Sequence, residues 1–178
     1  AYTLKDASHL KHLDEFNLLM LEQPLAYDDI YEHSLLQAQL STPICLDESI
    51  LNSKHAELAY ELNACCIINI KPGRVGGLHE GRAIHDLSLE RGKPVWIGGM
   101  DETGIGRAAN IALASLPGVT LHSDISASKR YYRQDIAEPL FVLNPDSTIN
   151  VPTTPGIGVT TIADQLETYT QRKIVVSA

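Results

Sequence analysis

Five short apolar runs recur along the chain at nearly constant spacing, and this constrains the fold more than any other feature. The runs are Phe16 to Leu21, Pro43 to Leu46, Cys65 to Ile70, Pro94 to Ile97 and Val119 to His122. The residues at their C-terminal tips, Glu22, Asp47, Lys71, Gly98 and Ser123, follow one another in steps of 25, 24, 27 and 25 residues. The runs are apolar throughout, without strict alternation, as expected of parallel strands covered on both faces. Stretches of helical periodicity separate them. Asp29 to Leu40 places Leu36 and Leu40 on one face, Asn52 to Asn63 places Leu58 and Leu62, Glu80 to Arg91 places Ala83 and Leu87, and Arg107 to Leu116 places Ala109, Leu113 and Leu116. Gly92 and the pair Pro117-Gly118 supply stops. Thr3-Leu4-Lys5-Asp6 resembles a capping box ahead of a first helix reaching Leu13. A repeated strand–helix unit of this length implies parallel strands joined by right-handed crossovers. A doubly wound sheet and a TIM-type barrel both satisfy the pattern. Even spacing, with chemical groups at successive tips, favours the barrel, whose active sites gather at that mouth.

An eight-stranded barrel needs roughly 250 residues, whereas the chain has 178 and shows five strands, with a helix first. The expectation is therefore an α/β fold, a partial TIM-type (β/α) barrel over residues 1–137 whose first strands lie outside this sequence. Residues 138–178 read as an accessory segment. In it Leu140 to Leu143 and Ile149 to Val151 flank a turn at Asn144-Pro145-Asp146 as a hairpin, a short helix lies near Ile162 to Tyr169, and a last strand lies near Lys173 to Val176.

Charge and cysteine usage narrow the partners. The formal net charge is −8 and the 14 Lys and Arg are scattered, so no basic stripe exists for a phosphate backbone and nucleic acid is not expected. No apolar stretch reaches membrane-spanning length and no leader opens the chain, so no membrane partner is expected either. Cys45, Cys65 and Cys66 are odd in number, show no CxxC spacing and lie in apolar runs. They read as small buried residues in a reducing cytoplasm, not as a disulfide framework or zinc site. Assembly into a homo-oligomer stays open.

The chemistry sits in the common register of Glu22, Asp47 and Lys71. In a barrel these tips stand side by side around one rim. Two carboxylates there form a hard-oxygen cradle suited to Mg²⁺ or Mn²⁺, which retain waters and take further oxygens from substrate. A unit charge pair 4 Å apart interacts by roughly 4 kcal/mol at an effective dielectric of about 20, so a divalent cation beside Lys71 lowers its pKa toward that of a neutral base. The cation would also stabilise the oxyanion formed when a carboxylate's α-proton leaves. Each residue has a plainer reading. Glu22 before Gln23-Pro24 is a solvated loop carboxylate, Asp47-Glu48-Ser49 caps the next helix, and Lys71 before Pro72-Gly73 is a surface turn.

Several segments resemble the enolase superfamily. Leu21-Glu22-Gln23-Pro24-Leu25 and Thr42-Pro43-Ile44-Cys45-Leu46-Asp47-Glu48-Ser49 resemble its metal-ligand strand ends. Ile68-Asn69-Ile70-Lys71-Pro72-Gly73-Arg74-Val75-Gly76-Gly77 is similar to the strand carrying its second lysine. Gly98-Gly99-Met100, with Glu102-Thr103-Gly104-Ile105-Gly106-Arg107-Ala108-Ala109, looks most like the o-succinylbenzoate synthase and N-acylamino acid racemase branch, and Pro155-Gly156-Ile157-Gly158-Val159 is similar to its closing segment. The resemblance implies Glu22 and Asp47 as metal ligands, Lys71 as the acid/base lysine on one substrate face, Gly99 and Met100 bordering a small carboxylate substrate, and Glu48 and Asn69 orienting the ligands and the lysine. It implies a lyase that abstracts an α-proton and then removes water in menaquinone synthesis, with N-acylamino acid racemisation as the alternative from the same first step. The family's third carboxylate, its Lys-x-Lys and its N-terminal capping domain have no counterpart here. The expected partner is therefore the N-terminal part of the same fold, and the isolated chain is expected to be inactive. Asp101 departs from an apolar position in the family.

Two other classes are weighed against this. Gly104-Ile105-Gly106-Arg107-Ala108-Ala109 fits G-x-G-x-x-A ahead of a helix, with Asp124 placed 18 residues after Gly106. Six residues separate the preceding strand from Gly104, too many for a tight dinucleotide-binding turn. The chain could also be a non-catalytic fragment. Among the remaining residues, His9 and His12 fit a solvated helix face, His122 stands near a strand tip, and Met20 and Trp96 fit the core.

Overall fold

The computed structural model describes residues 1–176 and divides them into two units, one of residues 1–98 and 113–124 and the other of residues 99–112 and 125–176.

The first unit begins with a broken helix. A 3₁₀ turn at Leu4–Asp6 leads into α1 (Ala7–Leu10) and a second 3₁₀ stretch, Lys11–Phe16. Asp6 accepts the Thr3 backbone N–H and hydroxyl, both at 2.9 Å, which closes the entry to this helix. The chain then runs β1 (Leu21–Glu22), α2 (Ile30–Gln37), β2 (Ile44–Leu46), α3 (Ser53–Glu61), β3 (Ile67–Ile70), α4 (Pro72–Val75), α5 (Leu78–Glu90) and β4 (Val95–Ile97). All pairings are parallel and the sheet order is β1-β2-β3-β4. This is the strand–helix succession expected of a partial barrel. Asp29 and Asn52 cap α2 and α3 by accepting the backbone N–H of Glu32 and His55, as short polar side chains do at helix starts.

Period-two alternation sorts the strand residues onto two faces. Every residue of β2, β3 and β4 is buried. Cys45, Ile67 and Trp96 form one apolar cluster, with Met20, Cys66 and Leu121 packed against it. Moving two residues along each strand from that cluster reaches Asp47, Asn69 and Gly98. The apolar cluster is thus the floor on which the polar layer stands.

Several expectations are corrected here. Phe16 to Leu21 is not a strand. Phe16 and Leu19 are exposed, Asn17 turns left-handed at φ 49°, and pairing begins only at Leu21. Asp14 sets this geometry, because its carboxylate accepts the N–H groups of Ser41 and Thr42 and ties the helix end to the start of β2. The fifth run pairs only at isolated bridges, Val95 with Val119 and Gly98 with Asp124. Its ladder is broken because Ile97 N–H donates to the Ser123 hydroxyl, not to a carbonyl. On α3 the buried face is Ala56, Ala59 and Tyr60, while Leu58 and Leu62 are exposed. On α5 it is Gly81, Ile84, His85 and Ser88, with Ala83 and Leu87 only partly covered.

The second unit contains residues 104–112 of α6 (Gly104–Ala114), β5 (Ala137–Glu138), β6 (Thr160–Thr161) and α7 (Ala163–Tyr169), with β5 and β6 antiparallel. Ala108, Ile111 and Phe141 form its core, with Ile125, Ile149 and Val159 against them. Arg107 is buried, bonding the Ser128 hydroxyl at 3.2 Å and the Asp135 carboxylate at 3.4 Å. The expected hairpin keeps its turn, where Asn144 N–H donates to Thr148 O at 2.8 Å, but the flanking segments form no ladder. Lys173 to Val176 is not a strand.

Candidate active site

One cavity of about 720 Å³ opens in the first unit over the polar layer, and its lining includes Glu22, Gln23, Asp47, Glu48, Asn69, Lys71, Trp96 and Asp124. Residues from the four strands and from the fifth run therefore converge, although up to 102 positions separate them in sequence.

Asp47 follows β2 and Lys71 follows β3, and the Lys71 ammonium lies 2.8 Å from Asp47 Oδ2. The other carboxylate oxygen of Asp47 pairs with Arg74 Nη1. Arg74 is held in turn by the Ile50 carbonyl at 2.9 Å and the Asn69 carbonyl at 2.7 Å. The short helix α4 makes this possible. Pro72 sits in its first turn, where a missing N–H costs nothing, and one turn then carries Arg74 back over the tip of β3. Asp47 caps no helix through its side chain, since the start of α3 is capped by Asn52.

Glu22 lies at the end of β1 and is exposed to the cavity, and its Oε1 accepts the Asn69 side-chain N–H at 2.8 Å. Gln23 links the first two tips. Its Oε1 accepts the N–H groups of Asp47 at 2.9 Å and Ser49 at 3.3 Å, and its Nε2 donates to the Ser49 hydroxyl at 2.7 Å. Below them, Trp96 Nε1 donates to Cys45 Sγ at 3.3 Å.

Glu22, Asp47 and Lys71 thus share one cavity, and Glu48 and Asn69 line it with them. Asn69 touches Glu22, while Glu48 is exposed. Gly99 and Met100 belong to the second unit, where Met100 is exposed and its N–H donates to Glu102 Oε2 at 2.6 Å. Sequence reasoning missed Gln23 and Arg74. Asp124, read there only as a ribose-binding alternative, lines the cavity instead.

The donors available to a cation are all oxygens, which suits a hard divalent metal. Glu22, Asp47, Glu48 and Asp124 are the carboxylates that line the cavity. Among the described residues no three His, Cys, Asp or Glu side chains group closely enough to hold a metal ion by themselves. The glycines of Gly104-Ile105-Gly106 do not form a phosphate-binding turn. Both lie inside α6, and the Gly104 N–H is already taken by Asp135 Oδ1 at 2.8 Å. Among the described residues, no helix is long and apolar enough to cross a membrane.

Comparison with known proteins agrees with this fold. The family described as enolase C-terminal domain-like matches residues 1–165. An o-succinylbenzoate synthase of Geobacillus stearothermophilus is 55% identical over 171 residues, 96% of this chain and 45% of that protein. An N-succinylamino acid racemase of Amycolatopsis is 53% identical over 174 residues, 98% of this chain and 47% of that protein. The chain thus spans about half the length of the relatives it matches. Among solved structures, an enolase-superfamily member from Listeria innocua superposes with a TM-score of 0.92 at 44% identity, covering 97% of this chain and 46% of that one. A dipeptide epimerase from Enterococcus faecalis, complexed with Mg and a dipeptide, superposes with a TM-score of 0.80 at 25% identity, covering 90% and 46%.

Proposed function

The chain belongs to the enolase C-terminal domain-like family, and from that premise we propose that it supplies two metal-binding carboxylates and one acid/base lysine to an o-succinylbenzoate synthase. The observation that carries this reading is the meeting of Lys71, Asp47 and Glu22 in one cavity, with the ammonium 2.8 Å from Asp47 and Glu22 held by Asn69.

Each residue has a part. Glu22 and Asp47 present oxygens for Mg²⁺ or Mn²⁺. When bound, the cation draws the negative charge that develops on the substrate carboxylate as its α-proton leaves. Lys71 in its neutral form takes that proton. Arg74 shares Asp47 with Lys71, so the carboxylate stays compensated when the lysine turns to substrate. Glu48 helps to orient the ligands. The substrate is a small carboxylate that loses water after proton abstraction, a step of menaquinone synthesis. The N-terminal part of the same fold supplies a third carboxylate, a second lysine and the cover over the site. The free Cys45, Cys65 and Cys66 fit a reducing cytoplasm.

N-succinylamino acid racemisation is the second reading, favoured by a match to the Amycolatopsis racemase as extensive as that to the synthases. It uses the same proton abstraction and omits the loss of water.

The test uses the full-length parent. Substrate is incubated in D₂O, and α-proton exchange is followed beside succinylbenzoate formation and racemisation. Lys71→Ala abolishes exchange from one face, and undiminished exchange in that variant would place the base elsewhere. The 178 residues alone give no turnover.

A further inference from the structure

Gly98 has no part in the assignment above, yet it occupies the tightest position in the site. Its backbone is held from two sides. Its N–H donates to the Ile70 carbonyl at 3.0 Å, and it bridges to Asp124, whose N–H reaches the Ile97 carbonyl at 3.1 Å. Gly98 is not among the residues with positive φ, so backbone conformation is not what requires glycine. Space is. A Cβ built on Gly98 would stand 2.7 Å from Lys71 Cε and 2.8 Å from Asn69 Nδ2, and closer still to Asn69 Oδ1. Unbonded carbon atoms settle at about 3.5–4.0 Å. The strands on either side pin the backbone, so the side chains must yield. The Lys71 chain is flexible and partly exposed, and can turn aside. Asn69 is 1% exposed, and its amide can move only by leaving Glu22.

We infer that Gly98 is a positioning residue: by lacking a side chain it leaves the slot in which the Asn69 amide stands against Glu22, and so sets the orientation of one metal-binding carboxylate. This rests on the reading of Glu22 given above. Gly98 acts through Asn69 and touches no reacting atom.

The experiment measures Mn²⁺ affinity by electron paramagnetic resonance on the full-length parent, with circular dichroism as a check of folding. Gly98→Ala and Asn69→Ala each weaken Mn²⁺ binding by about 10- to 100-fold, the usual effect of losing a partner that orients a ligand. The double variant binds no more weakly than the worse single variant, because both changes break one contact. Unchanged affinity in Gly98→Ala, or losses that multiply in the double variant, would overturn the inference. Should Gly98→Ala fail to fold, the double variant must regain the folded spectrum and the affinity of Asn69→Ala, and failure in either respect also overturns it. Glu22→Gln separates the two claims. If it leaves Mn²⁺ affinity intact, the ligand reading falls and takes this inference with it. If it loses affinity while Gly98→Ala does not, the inference falls alone.

Discussion

Asn69 donates its side-chain N–H to Glu22 at 2.8 Å even though β2 lies between the two strands that carry them. Neighbouring strands stand about 4.8 Å apart, so the two side chains lean over β2 from the same face to meet. The arrangement leaves one group unmet, because the buried Asn69 Oδ1 has no hydrogen-bond partner. Such a group costs about 1–3 kcal/mol. Asn69→Leu, of similar shape, removes that cost, while Glu22 is exposed and regains water. The expected outcome is an unchanged or higher Tm by calorimetry, together with Mn²⁺ affinity of the full-length parent lowered about tenfold or more. A lower Tm with unaltered affinity would show that Asn69 serves the fold and not the ligand.

Arg107 and Asp135 form the buried ion pair of the second unit, with side-chain exposures of 1% and 0%. Asp135 also accepts the Gly104 N–H at the start of α6, and Arg107 Nη2 donates to the Glu102 carbonyl at 2.9 Å. Removing one partner strands a charge away from water. Arg107→Met is therefore expected to cost about 3–5 kcal/mol in urea unfolding, and adding Asp135→Asn to recover part of that loss. Equal midpoints for the parent and Arg107→Met would contradict the pairing.

The parallel fold and the meeting of Glu22, Asp47 and Lys71 were legible because both follow from spacing. Each strand–helix repeat returns the chain to the same rim, so residues near equal steps become neighbours. Arg74 was not legible, since its role depends on a single helical turn immediately after Lys71. Only Pro72, at a position suited to a helix start, hinted at that turn. Gln23 was equally hidden. It takes a left-handed backbone at φ 38°, and its amide satisfies the tip of β2, which no periodicity announces. The buried face of α3 was misread because alanines and one tyrosine carry it. A leucine pair gives the stronger signal and here faces outward. Phe16 misled in the same way, being large, apolar and exposed.

Burial determines the reactivity of the three thiols. It pushes the Cys65 thiol up to about 12 and raises Cys45 as well, while Cys66 is only partly covered. Thiolate is the nucleophile, so a raised pKa and closed access act together. Iodoacetamide at pH 8 is expected to modify Cys66 first, with Cys45 and Cys65 reacting at the rate of unfolding. Peptide mass spectrometry over a time course checks this, and early labelling of Cys45 would contradict its place beneath the site.

His33 gives the fold a pH dependence whose sign follows from its contacts. The ring is fully buried. Its Nε2 accepts the Leu25 N–H at 3.2 Å, and its Nδ1 therefore carries the hydrogen donated to the Asp29 carbonyl. A second proton would set an N–H against the N–H of Leu25. Burial, the largest influence, lowers the pKa of His33 below the ordinary histidine value, although the Asp29 carbonyl opposes it. Between the folded and unfolded values the unfolded chain binds the extra proton. The contribution of His33 to stability is therefore complete above about pH 6.5, the unperturbed value, and is lost as pH falls below it. His33→Gln is expected to lower Tm at pH 7.5, and the gap between variant and parent should narrow at pH 5.5. Thermal melts of both proteins across that range measure the gap, and a gap that widened on acidification would mean that His33 is charged in the fold.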